Sequence, residues 1–285
     1  MRVSEAGFVS LLKKQQFFSI MKRNTERKIN RGIEYMDNTQ NFNELADDYT
    51  VGRPVYAADF IDSLYRHYGF DEHSVIADIG AGTGKFSKQL LDRGSIVYCV
   101  EPNDDMRNTA IKELGKYDKF HAVNGTATDT KIDDKSVDFI TTAQAFHWFD
   151  TFSFKKECKR ILHENGLIFL IWNMRDMSSA VNQKSFEIFS EYCPKFKGFG
   201  GGIEQNDIRI KQFFDNKYEY VEFDNPISYD RKRFISRSLS GSYTLKKGDA
   251  NYDRYLEVLC KLFEQYARDN VLVTENKTVA YIGHL

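Results

Sequence analysis

Residues 74–101 read SVIADIGAGTGKFSKQLLDRGSIVYCVE, and the order of residue types in that line is the order of a ligand-binding βαβ unit. Residues 75–79 are a short apolar run broken by Asp78. Gly80, Gly82 and Gly84 follow at alternate positions, and then Phe86, Leu90 and Leu91 share one face of a helical period. Gly94 stops that helix, 96–100 is a second apolar run, and Glu101 closes it. Glycines lack a Cβ, so the loop can turn sharply and bring its backbone close to a ligand. The helix behind it aims free N–H groups and a positive dipole end at the same place. A carboxylate ending the next strand can accept both hydroxyls of a ribose, each such bond contributing about 1.5–3 kcal/mol.

Spacing separates the ligands that could sit there. A dinucleotide fingerprint needs a third glycine three residues after Gly82, where Lys85 stands. A phosphate-binding P-loop needs four residues between its glycines; only three separate Gly80 from Gly84, and Phe86 occupies the position of the magnesium-binding Ser or Thr. What remains is D-x-G-x-G-x-G with an acid at the next strand end, a loop suited to a ligand without phosphates. That pattern resembles the first two motifs of class I S-adenosylmethionine-dependent methyltransferases. The plain alternative is a tight strand–helix turn that binds nothing, which requires the glycines, Asp78 and Glu101 to coincide by accident.

The rest of the chain bounds the reading. Its 285 residues suffice for one large domain or two small ones, and 41% hydrophobic with 28% charged residues is ordinary for a globular enzyme. A net charge of −1 gives no general attraction to nucleic acid. The charge is uneven: eight Lys and Arg against Glu5, Glu26 and Glu34 make residues 1–35 basic. Cys99, Cys158, Cys193 and Cys260 are scattered and form no C-x-x-C, so neither a disulfide framework nor a zinc site is expected. The longest strong apolar run, 167–172, is too short to span a bilayer, and the N-terminus has no secretory core. A cytoplasmic location is the expectation.

In chain order, 1–35 reads as a basic extension, either a targeting, anchoring or lid segment or simply an appendage before Met36. Residues 36–285 are expected to form one domain. Its cofactor-binding core spans about 72–172, its lid and acceptor elements 42–70 and 173–250, and 251–285 completes the sheet. Pro54 suits the first turn of a helix carrying Tyr56, Phe60, Leu64 and Tyr68. A helix is expected at 103–114 with Met106, Ala110, Ile111 and Leu114 inward, and strands at 120–123, 137–146 and 167–172. Between the last two, a helix over 152–163 places Phe154, Cys158, Ile161 and Leu162 on one stripe. Residues 173–176 read as a loop, 178–192 as a helix, and 197–202 as a glycine-rich hinge or surface loop. Strands at 218–223 and 279–282 flank a helix marked by Tyr255, Val258, Leu259, Leu262, Phe263 and Tyr266. Strands alternating with helices argue an α/β, doubly wound sheet.

With Gln144-Ala145-Phe146-His147-Trp148-Phe149 and Trp172-Asn173 added, the chain from about residue 42 onward resembles the methyltransferase type 11 group. In style it is similar to the trans-aconitate methyltransferase-like proteins. The resemblance implies a Rossmann-like, mostly parallel seven-stranded sheet with an antiparallel C-terminal strand and helical lid elements. It implies S-adenosyl-L-methionine as cofactor, with Asp78, Gly80, Ala81 and Gly82 facing its methionine part. Glu101 would hold the ribose, with Asn103 and Met106 beside the adenosine and Thr126 and Ala127 flanking adenine. Many relatives have an acid at the position of Thr126. Arg53 would contact the carboxylate under a closing Tyr49, Gln144 and Ala145 would lie under the sulfonium, and His147, Trp148 and Trp172 would line the acceptor side. No metal is implied.

The implied reaction moves a methyl group to a small-molecule acceptor, on oxygen in preference to nitrogen, with His147 as a base where the acceptor needs one. A histidine packed for structure is the other reading of that residue. The alternative at the level of the protein is a cofactor-binding sensor or scaffold without turnover. Nucleic-acid methylation fits poorly: no Asn/Asp-Pro-Pro-aromatic run ends the fourth strand and no Pro-Cys occurs. Acceptor and oligomeric state are not legible.

Overall fold

The computed structural model describes residues 54–199, 203, 207–241 and 243–285. Residues 1–35, Tyr49, Arg53 and residues 200–202 of the 197–202 loop therefore lie outside the described residues.

Helix α1 (Ala58–His67) leads into the expected unit: β1 (Val75–Ile79), α2 (Lys85–Leu91) and β2 (Ile96–Val100). Then follow α3 (Asp104–Leu114), β3 (Phe120–Val123), β4 (Val137–Ala143), a single 3₁₀ turn (Phe146–Trp148), α4 (Thr151–Ile161) and β5 (Leu162–Arg175). Beyond them come α5 (Ala180–Tyr192), α6 (Ile208–Phe213), β6 (Glu219–Asp224), β7 (Ile227–Tyr229), α7 (Arg231–Leu239), α8 (Tyr252–Tyr266), β8 (Leu272–Thr274) and β9 (Asn276–Gly283).

Seven strands form one sheet in the order β3-β2-β1-β4-β5-β9-β6. All neighbouring pairs are parallel except those of β9, which runs antiparallel to both β5 and β6. This is the doubly wound sheet with an antiparallel C-terminal strand that the sequence implies. The order reverses between β1 and β4, because the chain winds outward through β2 and β3 and then returns. A crevice opens at such a switch point, at the carboxyl ends of the strands.

Apolar cores cover both faces. Ile79, Val100, Phe154, Trp172, Phe213 and Tyr281 pack on the α4 and α6 side, and Phe60, Leu64, Phe86, Leu90, Phe169 and Ile282 on the α1 and α2 side. A third cluster joins α5, α7, α8 and the β7–β8 pair through Phe189, Phe234, Tyr255, Leu259 and Phe263. It draws on both sides of residue 250, so the division expected there runs through a single packed cluster.

Four local expectations need correction. Pro54 does not open a helix: Gln89 takes both the N–H and the carbonyl of Tyr56, at 3.0 and 2.9 Å, and α1 starts only at Ala58. Ile111 is 45% exposed, since Met106, Ala110 and Leu114 already fill the inward stripe of α3. The strand expected to reach 146 stops at Ala143, where Gln144 turns to φ +61. Conversely, 173–175 is strand rather than loop, because β9 pairs Asn173 with Thr278, Met174 with Lys277 and Arg175 with Asn276.

Candidate functional site

The glycine loop is held from three sides. Gly80, Gly82 and Gly84 all have positive φ (+70, +59 and +75), a region costly for residues with a Cβ. The Gly80 and Ala81 N–H groups both reach the Val100 carbonyl of β2, at 2.9 and 3.2 Å. The Gly82 N–H donates to Glu101 Oε2 at 2.8 Å, while Glu101 Oε1 accepts the Asn103 N–H at 2.9 Å. Each carboxylate oxygen keeps a second lone pair for a ligand. Burial raises the Glu101 pKa, against the lowering effect of those two backbone N–H groups and of Arg107.

What a Cβ would meet distinguishes the glycines. At Gly80 it would come within 2.6 Å of Ala145 Cβ and 3.0 Å of Phe149 Cζ, so this glycine lets the 144–149 segment close on β1. At Gly84 it would strike Leu114 of α3 at 2.5 Å. At Gly82 it would meet nothing within 4 Å. That open space lies next to the Glu101 carboxylate, at the entrance to α2. The arrangement joins a backbone without a side chain to an acid, the two features expected of a nucleoside-binding loop.

Asp78 does not face that space. It is fully buried, with Ser87 Oγ donating to Oδ2 at 2.6 Å and Thr141 Oγ1 to Oδ1 at 2.9 Å. It therefore ties α2 and β4 to β1 beneath the loop. Burial pushes its pKa up to about 6, against the hydroxyl hydrogen bonds. Asn103 is the N-cap of α3, accepting the Met106 N–H at 3.0 Å, and Met106 is buried under that turn.

Thr126 and Ala127, the pair expected beside adenine, stand on the next loop. Thr126 is exposed and Ala127 half-buried, and Thr126 exchanges backbone bonds with Asp129 at 3.0 and 3.3 Å. The loop is anchored from below: Thr130 donates its N–H and hydroxyl to Glu157, at 2.8 and 2.6 Å, and Arg160 clamps the same carboxylate at 2.7 and 3.0 Å. Burial works against the Glu157 charge, but Arg160 and Thr130 outweigh it and hold its pKa near about 2.

After β4, Gln144 occupies a left-handed conformation that only a well-determined surrounding sustains. Its N–H donates to the Ile171 carbonyl at 2.8 Å and its Nε2 to the Asn173 carbonyl at 3.0 Å. This turn brings Ala145 against Gly80 and sends the chain into the 3₁₀ turn, where the His147 and Trp148 rings lie 4.7 Å apart. Trp148 is 46% exposed, beside the crevice. Trp172 is not exposed at all: at 1% it lies edge-on to Phe146 and Tyr281, and its indole N–H has no partner among the described residues. It is a core residue beneath the acceptor side rather than part of an open wall.

Asn173, with Asn225 and Thr278 that the sequence does not single out, holds the segment leading into α1. Asn173 Oδ1 accepts from Thr278 Oγ1 (2.6 Å) and Asn225 Nδ2 (3.0 Å), while its own amide reaches the Val55 carbonyl at 3.1 Å. Asn225 also donates to Val55 O at 2.8 Å, and Thr278 Oγ1 accepts the Ala57 N–H at 2.8 Å. Three strands, β5, β9 and the end of β6, thus hold 54–57 in place. No local period marks these residues, since their partners lie from 52 to 221 positions away. Among the described residues no group of three His, Cys, Asp or Glu gathers as a metal site, and no helix is long and apolar enough to cross a membrane.

The family model described as "Methyltransferase domain" matches residues 77–170, from β1 to the middle of β5. An uncharacterized methyltransferase-like protein of Schizosaccharomyces pombe is 32% identical over 146 residues, 51% of this chain and 56% of that one. An uncharacterized methyltransferase of Mycobacterium bovis is 35% identical over 140 residues, 49% and 55% of the respective chains. The chain thus spans about half the length of these curated relatives. Among solved structures, a candidate type II methyltransferase from Anaeromyxobacter dehalogenans superposes with a TM-score of 0.60 over 81% of this chain and 97% of its own, at 16% identity, a likeness of fold.

Proposed function

We propose that the chain, whose residues 77–170 match a methyltransferase domain, is a class I S-adenosylmethionine-dependent methyltransferase that moves a methyl group from S-adenosyl-L-methionine to a small-molecule acceptor, on oxygen in preference to nitrogen. The observation that carries this is the paired geometry at Gly82 and Glu101: open space where a Cβ would stand, and a near-buried carboxylate tied to the loop with lone pairs to spare. When bound, the cofactor supplies a methyl group already activated by a positively charged sulfur.

The chain's own work is binding and positioning. Glu101 holds the ribose, the 80–82 backbone approaches the methionine part, and Thr126 and Ala127 flank the adenine. The sulfonium lies over Gln144 and Ala145, whose turn is fixed by the Asn173 and Ile171 carbonyls. Holding acceptor and methyl carbon at near-attack distance supplies most of the rate acceleration, because the leaving group is good. His147 takes the proton of a hydroxyl acceptor, worth about 10²–10⁴-fold, while Trp148 offers an aromatic wall that favours a cationic sulfur.

The near-neutral net charge supports a small acceptor over a nucleic acid. The test is thermal unfolding with S-adenosylhomocysteine against NAD. At about 100 times its dissociation constant the former stabilises by roughly 2.7 kcal/mol, and NAD does nothing. Stabilisation by NAD alone overturns the proposal. Turnover is then sought with labelled cofactor in a cell extract, the labelled product identifying the acceptor.

A further inference from the structure

Helix α7 opens a cationic stretch: residues 230–249 hold six Lys and Arg against Asp230 and Asp249. Phe234 and Ser238 turn inward and are buried. Arg231, Ile235 and Leu239 recur every four residues on a neighbouring face. With Lys232, Lys246 and Cys260 of α8 they border an open cavity of about 770 Å³, within the range of about 300–1,000 Å³ usual for small-molecule sites. The floor is apolar and recessed, since Ile235, Leu239 and Cys260 are half-buried. The ends are cationic. Arg231 and Lys232 stand in the first turn of α7, while Lys246 Nζ spans the Leu239 and Gly241 carbonyls past its last turn, at 3.1 and 3.3 Å. From Arg231 to Leu239 the face runs about 12 Å, at 1.5 Å per residue.

No acid lines this cavity. The acids that share the Cys260 face of α8, Glu257 and Glu264, are engaged by Lys261 and Arg231, at 2.6 and 3.1 Å. Lys232 has no acid partner among the described residues. We propose that the cavity binds a single-chain amphiphile with an anionic head, the head at Lys232 and Arg231 and the chain along Ile235 and Leu239 against Cys260. The positive end of the α7 dipole favours the head at the first turn. Lys246 already serves carbonyls at the other end, where its aliphatic stem can cover the tip of the chain. Eight residues line the cavity, too few for a protein partner, whose interface takes about 20–30 on each side. A bilayer is entered by protruding apolar side chains, whereas these lie recessed between cations. The basic residues 1–35 have the wrong charge for this rim. None of the lining residues belongs to the glycine loop or the 144–149 segment, so the site holds whether or not the chain transfers a methyl group.

The experiment titrates the full chain by calorimetry with decanoate, decan-1-ol and acetate, keeping decanoate below its micellar concentration. Decanoate is expected to bind at least tenfold more tightly than either of the others, since it alone carries both head and chain. Lys232→Gln lowers the preference over decan-1-ol at least fivefold, and Lys246→Gln lowers it less than twofold. Both variants keep the melting temperature of the parent, because both side chains are exposed. Cys260 supplies a second readout without any substitution, being half-buried where Cys99, Cys158 and Cys193 are buried. Its alkylation by iodoacetamide slows at least fivefold in saturating decanoate. Equal binding of decanoate and decan-1-ol, acetate bound as tightly as decanoate, or alkylation that decanoate does not slow overturns the assignment. A preference kept in Lys232→Gln, or lost more in Lys246→Gln, overturns the placement of the head. Association with phosphatidylglycerol vesicles that decanoate fails to displace would make this face a membrane contact and sink the proposal.

Discussion

Gly80 and Gly82 have nearly the same backbone conformation but opposite surroundings, and replacing each with alanine tests both the loop packing and the ligand assignment. A positive φ costs alanine about 1–2 kcal/mol at either position. At Gly82 the new methyl meets nothing within 4 Å, so that is the whole cost to the ligand-free fold. At Gly80 it would stand 2.6 Å from Ala145 Cβ, an atom fixed directly to backbone, and 3.0 Å from the Phe149 ring. The ring can pivot, but Ala145 moves only with the strained Gln144 turn. Overpacking of that kind adds about 1–3 kcal/mol, which brings Gly80→Ala to about 2–5 kcal/mol. For a domain of this order each kcal/mol is worth about 2–4 °C in melting temperature. Calorimetry of the ligand-free variants therefore ranks Gly80→Ala well below Gly82→Ala. Titration with S-adenosylhomocysteine reverses the emphasis: Gly82→Ala fills the space beside Glu101 and loses at least tenfold in affinity while remaining well folded. Equal melting temperatures would refute the packing argument, and parental affinity in Gly82→Ala would refute the location of the ligand.

Asp78 makes stability depend on pH. Its folded pKa of about 6 lies above the ordinary value of 3.8, so its contribution is fully present below pH 3.8 and is lost as pH rises through 6. The loss is about 3 kcal/mol; Asp78→Asn, followed by urea unfolding between pH 4 and 7, flattens that slope, and an unchanged slope removes Asp78 as its source. His147→Ala is expected to keep its affinity for S-adenosylhomocysteine and to lose at least tenfold in turnover on a hydroxyl acceptor, where a general base typically contributes about 10²–10⁴-fold; unchanged turnover rejects that role. Asn173→Ala strips hydrogen bonds from Val55, Asn225 and Thr278. It costs about 2–4 kcal/mol and speeds amide exchange at Ala57, whose N–H depends on Thr278; exchange at the parental rate denies the coupling.

How far the sequence could be read follows from the range of each interaction. The βαβ unit is legible to the residue because its signals are local: β1, β2 and the Gly82–Glu101 bond all lie within 28 residues. Asp78 is misjudged because its partners are hydroxyls, Ser87 nine residues away and Thr141 sixty-three away, and a hydroxyl in a strand or helix carries no periodic mark. Ile111 fits the helical period of α3 but falls just off the stripe that Met106, Ala110 and Leu114 fill. Residues 173–175 of the loop expected at 173–176 are strand because β9, a hundred residues later, supplies the pairing. The region beyond residue 175 is the least legible for the same reason. Its cluster is assembled from α5, α7, α8 and two short strands, none of which announces its neighbour.

The length of β5 connects these two halves. Its neighbour β4 ends at Ala143, which pairs with Ile171, yet β5 runs on to Arg175 because β9 continues to pair with it. That overhang carries Asn173 and Arg175 on the same face, two residues apart. The first fixes both the Gln144 turn and the 54–57 segment; the second lies over the Phe199 ring, with no acid partner among the described residues. A loop at this position would hold neither group steadily. A strand paired along its edge does, since residues borne on regular elements keep their geometry better than residues borne on loops. Loosening the overhang should therefore disturb the Gln144 turn and the 54–57 segment together. Thr278→Val removes the hydroxyl that bonds Asn173 and Ala57 but keeps a β-branched side chain in the strand. Faster amide exchange at Ala57 and at Gln144 is the expected joint effect in that variant; a change in one without the other would mean that the two segments are held independently.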